Sequence, residues 1–228
     1  MMLNEDLVIE KEKENKEDYK FDLSFKIILL GDISVGKTSL ILNATKNIFD
    51  GKYEPTIHFE FYFYFLTIEG KRIKLEIWDT CGQETYRALI TSFYRSSSFA
   101  IMVYSIDCRQ SFKNMNEWLN EIKTKSNPDI KIALIGNKCD LEDKRQVQKE
   151  EGDKFSNDND LSFFMETSAK TGFNSKNIFN EIGKILFKEY NRIMNRNPTP
   201  FSSDKSLTTY LDLLSEEENK QKKKKCFC

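Results

Sequence analysis

The sequence predicts an α/β fold: an open, mostly parallel six-stranded sheet with one antiparallel edge strand and about five helices on its two faces. Three observations predict it: short apolar runs that stop abruptly, helical stretches between them, and a single hairpin. The first run, "FKIILL" from Phe25, is halted by Gly31, as expected of a strand buried on both faces. In "VGKTSLILNAT", Leu40, Ile41 and Ala44 then fall on one side of a helix. "HFEFYFYFLTI" alternates Phe59, Phe61, Phe63 and Phe65 against Glu60, Tyr62 and Tyr64, the period of a strand. Glu69-Gly70 turns it into "KRIKLEIWD", which makes the hairpin. "FAIMVYSID", "KIALIGN" and "LSFFMET" complete the strands. Helices are expected near 111–125, 147–156 and 175–192, the last with Ile178, Phe179, Ile182, Ile185, Leu186 and Ile193 along one stripe.

The bulk composition excludes several classes. With 35 Lys and Arg against 36 Asp and Glu, the chain as a whole carries no electrostatic footprint for nucleic acid. The cysteines at 81, 108, 139, 226 and 228 lack the paired spacing of a zinc site and fit a reducing compartment. Neither an N-terminal signal-like apolar region nor a run of membrane-spanning length is present in the sequence, so the protein is expected on the cytosolic side. Residues 1–23 mix acids and lysines with few large apolar groups, and an arm without a packed core is expected there. Residues 24–195 form the globular unit. Beyond about residue 196 the composition shifts to Asn, Pro, Ser, Thr and charges, which marks residues 196–228 as a tail.

"GDISVGKT", residues 31–38, has the spacing G-x-x-x-x-G-K-[ST] between a strand and a helix. Backbone N–H groups of such a loop and the helix start behind it point at anionic oxygens. Ser34, Val35, Gly36, Lys37, Thr38 and Ser39 are therefore candidate phosphate-binding residues, with Lys37 reaching the terminal phosphates and the Thr38 hydroxyl a magnesium ion. An ordinary glycine turn before a helix is the plain alternative.

The base is read elsewhere. "NKCD", Asn137 to Asp140, follows a predicted strand, and a carboxylate at Asp140 can accept from guanine's N1–H and 2-amino groups. Adenine lacks that amino group and would leave an acceptor unpaired. Lys138 can lie along the ring, and Asn137 can tie this loop to the phosphate loop. "ETSAK" supplies Ser168, Ala169 and Lys170 after a further strand, where a backbone N–H can meet guanine O6.

"GDISVGKT", "WDTCGQE", "NKCD" and "ETSAK", in this order over 25–192, resemble a Ras-superfamily small GTPase, a P-loop NTPase with a three-layer sandwich fold. "WDTCGQETYRALITSFYRS", "DKRQVQKEEG" and the terminal "CFC" resemble the Rab branch, and "LITSFYRSSS" its Golgi-associated members. The resemblance implies GTP and GDP as ligands, Mg²⁺ as cofactor, and hydrolysis of GTP. It implies that Phe49 stacks on guanine, that Tyr53 closes over the phosphates, and that Thr56 and, through water, Asp79 hold the metal alongside Thr38. The Gly82 N–H would sense the γ-phosphate, Gln83 would position the attacking water, and Lys37 would stabilise charge. Release of Thr56 and Gly82 on hydrolysis would be the switch. Phe61, Trp78 and Phe93 occupy the positions of an effector-binding aromatic patch, or serve as hairpin and helix packing. Implied partners are an exchange factor, a GTPase-activating protein, a GDP-dissociation inhibitor, a prenylation escort protein and effectors, around a monomer.

Three positions depart from the family pattern. Ile33 stands where Ras proteins carry Gly and Rabs a small or polar residue. Its branched side chain either crowds Gln83 and an incoming arginine finger, which is worth about 10³–10⁵ in rate, or points away and changes little. His58 replaces a favoured Gly and is either a plain surface residue or a tuner of partner choice. Cys81 replaces Ala and fits sterically, with a redox role as the other reading; Cys108 and Cys139 are expected to be buried or half-buried thiols.

The chain ends in "QKKKKCFC". This is no CaaX box, but it resembles the Cys-x-Cys ending on which Rabs receive two geranylgeranyl groups, here at Cys226 and Cys228. Two lipid chains anchor stably where one does not, and Lys222 to Lys225 add roughly 1 kcal/mol each at an anionic leaflet. "LTTYLDLL" (207–214) resembles a contact for prenyl-binding chaperones. The combined expectation is a GTP/GDP switch of vesicle traffic on the cytoplasmic face of an endomembrane, Golgi or vesicle, with a cytosolic pool. The rival is a GTP-bound membrane scaffold in which Ile33 blocks hydrolysis. An adenine-specific P-loop kinase conflicts with Asp140.

Overall fold

The computed structural model describes residues 20–51, 60–80, 94 and 97–196. Each apolar run becomes a strand: β1 (Leu23–Leu30), β2 (Glu60–Ile68), β3 (Lys71–Asp79), β4 (Phe99–Ser105), β5 (Lys131–Asn137) and β6 (Phe163–Glu166). They form one sheet in the order β2-β3-β1-β4-β5-β6. All neighbours are parallel except β2 against β3. The β2–β3 turn has positive φ at both Glu69 and Gly70, the conformation that matches strand twist in a two-residue hairpin.

The helices are α1 (Lys37–Lys46), α2 (Arg109–Lys113), α3 (Met115–Lys125), α4 (Lys149–Asp158) and α5 (Ser175–Arg196). The single helix expected near 111–125 is two helices meeting at Asn114. α4 starts two residues later than the periodicity suggests. There Gln148 caps it: the Glu151 carboxylate accepts from the Gln148 backbone N–H at 2.9 Å, half of a capping box.

Alternation along β1 splits the core in two. Phe25, Ile27 and Leu29 join Leu40 and Ile41 of α1 and Ile178, Phe179, Ile182 and Leu186 of α5. Ile28 and Leu30 join Met115, Trp118 and Ile122 of α3 on the other face. Helices thus cover both faces of a sheet whose central strands are buried, the three-layer arrangement expected. Along β2 the Tyr side, not the Phe side, packs on the core: Tyr62, Tyr64 and Leu66 lie against it while Phe61 and Phe63 are exposed. A tyrosine buries its ring while its hydroxyl finds a polar partner, and Tyr64 donates to Asn180 Oδ1 at 3.0 Å. Cys139 is half-buried as expected, but Cys108 is exposed, because it lies on the turn ahead of α2 and not on a strand.

Candidate nucleotide site

The parallel strands deliver their C-terminal ends to one edge, where ligands bind in folds of this type. The loop after β1 is pressed against its neighbours. A Cβ on Gly31 would lie 2.1 Å from the Val103 carbonyl oxygen, and one on Gly36 would lie 2.5 Å from Asn137 Nδ2. Both glycines also have positive φ, so no other residue fits without strain. Asn137 Nδ2 donates to the Val35 carbonyl at 2.9 Å. Asp32 is held from the opposite side: its carboxylate accepts from Trp118 Nε1 (2.9 Å) and Asn114 Nδ2 (2.7 Å). Sequence reasoning missed this strap, because nothing in the spacing connects α2 and α3 to position 32.

At the phosphate end, α1 starts at Gly36 with no side-chain cap and no acidic residue in its first turn. Its first N–H groups and its positive dipole end therefore favour an anion. Lys37 is 6% exposed and donates to the Gly31 and Asp32 carbonyls, each at 2.8 Å. The Thr38 hydroxyl donates to Asp79 Oδ2 at 2.5 Å. Burial pushes the Asp79 carboxyl up to about 6, with the Thr38 hydrogen bond and Lys37 opposing the shift. The second carboxylate oxygen, Oδ1, is buried with no hydrogen-bond partner among the described residues. A buried carboxylate oxygen left unpaired beside a threonine hydroxyl suits a hard divalent cation, which takes oxygen ligands. The residues present therefore fit magnesium.

At the base end, Asn137 is fully buried and joins three segments. Besides Val35, its Oδ1 accepts from the Thr167 hydroxyl (3.1 Å) and the Ala169 N–H (3.3 Å). Ser168 donates its hydroxyl to the Asp140 carboxylate, fixing how Asp140 presents its oxygens. Cys139 N–H donates to the Thr167 carbonyl at 2.9 Å, so the loops after β5 and β6 are stitched by backbone as well. Lys138 takes a left-handed backbone conformation, and its Cε lies 4.0 Å from where Gly36 would carry a Cβ, alongside the phosphate loop. Phe49 and Lys170 share a cleft of about 460 Å³ with Asn43, Asn47, Gly172 and Asn174.

The fold therefore assembles Val35, Gly36, Lys37, Thr38 and Asp79 at one end and Asn137, Lys138, Asp140, Ser168, Ala169 and Lys170 at the other. Ser34 and Ile33 form the exposed crest of the phosphate loop, and Ser39 lies in the first turn of α1. Tyr53, Thr56, His58, Cys81, Gly82, Gln83, Phe93, Cys226 and Cys228 lie outside the described residues. Of the aromatic patch, Phe61 is 53% exposed and meets half-buried Trp78 edge-on at 4.0 Å.

Replacing Asn137 by Ala is expected to cost about 2–4 kcal/mol, because it leaves the Thr167 hydroxyl and the Ala169 N–H without their buried acceptor. A fall of roughly 5–15 °C in Tm by thermal denaturation would show it; an unchanged Tm would mean that the three loops are held otherwise.

The Ras family model matches residues 26–188. The chain is 40% identical over 185 residues to Ras-related protein Rab-13 of Bos taurus, covering 81% of this chain and 91% of the relative. Rab-13 of Mesocricetus auratus matches at 40% and that of Rattus norvegicus at 39%, with the same coverage. This chain is a Rab-branch small GTPase of the Ras family. Hydrolysis of GTP comes with the family. No helix among the described residues of this Rab-branch protein is long and apolar enough to cross a membrane.

Proposed function

We propose that this GTPase is a membrane-attached switch of vesicle traffic, which presents one surface with GTP bound and another with GDP. The observation that carries the reading is the bridging of both ends of the site by one side chain: Asn137 holds the loop after β1 and the loop after β6 together, which would let purine and phosphates be gripped as one ligand. Asp140 accepts from guanine N1–H and the 2-amino group, Lys138 and Phe49 flank the ring, and the Ala169 region meets O6. Lys37 leaves the Gly31 and Asp32 carbonyls for the β- and γ-phosphates and balances their charge. Thr38, Thr56 and Asp79 would hold Mg²⁺, which would supply charge neutralisation to the phosphates when bound. Gln83 orients a water whose oxygen bonds to the γ-phosphorus as the bond to the leaving β-phosphate oxygen breaks. Thr56 and Gly82 are then released, and the surface bearing Phe61, Trp78 and Phe93 changes its presentation to effectors.

Geranylgeranyl groups at Cys226 and Cys228, with Lys222 to Lys225, would place the protein on the cytoplasmic face of Golgi or vesicle membranes. An exchange factor, an activating protein, a GDP-dissociation inhibitor and an escort protein would govern its cycle. Calorimetry with Mg²⁺ tests the ligand: guanosine nucleotides should bind at least a hundredfold more tightly than adenosine nucleotides, and equal affinities would overturn the reading. A tagged copy lacking its last three residues should lose the membrane.

A second reading has one observation in its favour. Ile33 is 48% exposed on the loop after β1, and on this reading it would present apolar bulk to anything approaching the γ-phosphate. A chain so obstructed would persist with GTP and act as a scaffold for effectors. The GTP:GDP ratio on protein purified from cells separates the two, with GDP predominating only for the cycling switch.

A further inference from the structure

β2 carries its apolar excess on the outside of the sheet. Phe61, Phe63 and Phe65 stand across from Trp78, Glu76 and Lys74 of β3. Phe61 and Phe63 keep 53% and 49% of their surface exposed. Cations interleave with the rings: Lys26 Nζ lies 3.7 Å from the Trp78 centroid, Lys74 Nζ 5.3 Å from Phe63, and the Arg72 guanidinium 5.0 Å from Phe65. Among these strand residues Glu76 alone is acidic, and it pairs with Lys74 at 2.6 Å. The face is thus aromatic and cationic together, suited to a segment that is apolar and acidic together.

The described chain begins on this face. Lys74 Nζ that lies near Phe63 is also 4.1 Å from the Phe21 centroid. Asp22 is fastened to the start of β3: its N–H donates to the Arg72 carbonyl (2.8 Å), and its carboxylate accepts from the Arg72 N–H (2.7 Å) and Lys71 (3.3 Å). The residues ahead of Lys20 carry seven carboxylates (Glu5, Asp6, Glu10, Glu12, Glu14, Glu17, Asp18) against Lys11, Lys13 and Lys16. Their apolar residues cluster in "MLNEDLVIE", residues 2–10.

We infer that residues 2–10 dock in cis on the Phe61–Phe63–Phe65 face of the hairpin. Leu3, Leu7, Val8 and Ile9 cover the rings, while Glu5, Asp6 and Glu10 face Lys26, Arg72 and Lys74. The connecting residues 11–20 reach about 33 Å when extended, at about 3.3 Å per residue, and the whole of β2 is only about 30 Å long. Tethering makes even a weak contact effective, because a short linker holds the segment at an effective concentration in the millimolar range. Phe61 and Trp78 are also residues of the proposed effector patch, so the arm and an effector would share that surface. That consequence rests on the effector reading; the docking itself rests on the described face and on the sequence of residues 2–10.

The test uses the full chain with a photoreactive Phe63→p-benzoylphenylalanine substitution, in equal mixtures of ¹⁴N- and ¹⁵N-labelled protein. After irradiation, mass spectrometry should find adducts chiefly to residues 2–10 within one copy. A triple change Leu3→Ser, Leu7→Ser, Ile9→Ser should reduce them at least fivefold while leaving the melting curve of the folded domain unchanged, and 0.5 M salt should reduce them further. The same probe at Phe61 serves if the first variant does not fold. Adducts between copies, adducts to other segments, or a yield indifferent to the triple change would each overturn the inference. None of these outcomes depends on which nucleotide binds, so failure here and failure of the proposed function are distinguishable.

Discussion

Replacing Asp140 by Asn is expected to weaken GTP and GDP binding by a hundredfold or more while shifting preference to xanthosine nucleotides. The carboxylate offers two acceptor oxygens to two guanine donors, N1–H and the 2-amino group. An amide keeps one acceptor and turns the other into a donor, which then faces the 2-amino group. Two charge-assisted hydrogen bonds of about 1.5–3 kcal/mol each are lost or weakened, which amounts to about two to four orders of magnitude in affinity. Xanthine carries a carbonyl at that carbon and accepts from the new N–H, so binding is redirected and not merely lost. The geometry supports a clean swap. Ser168 donates to Asp140, and an Asn carbonyl oxygen accepts the same hydroxyl, so the loop need not rearrange. Calorimetric titration of wild type and variant with GDP and xanthosine diphosphate checks it. A variant that still binds GDP within threefold of wild type would show that position 140 does not read the base.

The sheet was legible because buried parallel strands leave continuous apolar runs, and "FKIILL", "FAIMVYS" and "KIALIGN" coincide with β1, β4 and β5 to within a few residues. The phosphate loop was legible for a different reason. Gly31 and Gly36 are demanded because a Cβ there would lie 2.1 Å from the Val103 backbone carbonyl and 2.5 Å from the Asn137 side-chain amide, and such demands leave a fixed spacing in the sequence. What could not be read were contacts between residues far apart in the chain whose types are individually common. Asp32 to Trp118 spans 86 positions, and neither residue belongs to a periodic pattern that would reveal the pair. The joint role of Thr167 in holding Asn137 is hidden likewise, since a threonine at a strand end has many ordinary uses. The outward side of β2 was also illegible: Phe and Tyr alternate there, and only the tertiary positions of α1 and α5 decide which of the two is covered.

The Asp32 strap bears on the second large effect. Ile33→Ser is expected to raise single-turnover GTP hydrolysis about tenfold in the isolated protein, and a hundredfold or more with an activating protein that supplies an arginine. One neighbour of Ile33 is held in place. Asp32 is anchored by hydrogen bonds from Asn114, between α2 and α3, and from Trp118 of α3, and Ser34 takes the left-handed conformation that is uncommon for a residue other than glycine. A β-branched side chain has few χ1 choices, so with its backbone pinned it cannot rotate out of the way as a longer unbranched chain would. Ile33 is 48% exposed at the crest of the loop; on the proposed reading its side chain stands where Gln83 and an external guanidinium would approach the γ-phosphate. An arginine delivered there is worth about 10³–10⁵ in rate, which is why obstruction costs most in the assisted reaction. Nucleotide affinity should change by less than about twofold, since side chains at 33 take no part in the amide cradle. Phosphate release from GTP-loaded wild type and Ile33→Ser, alone and with activating protein, reads both effects in one assay. Equal rates in both conditions would mean that Ile33 stands clear of the γ-phosphate, and the reading of this chain as a slow GTPase would then have no physical basis.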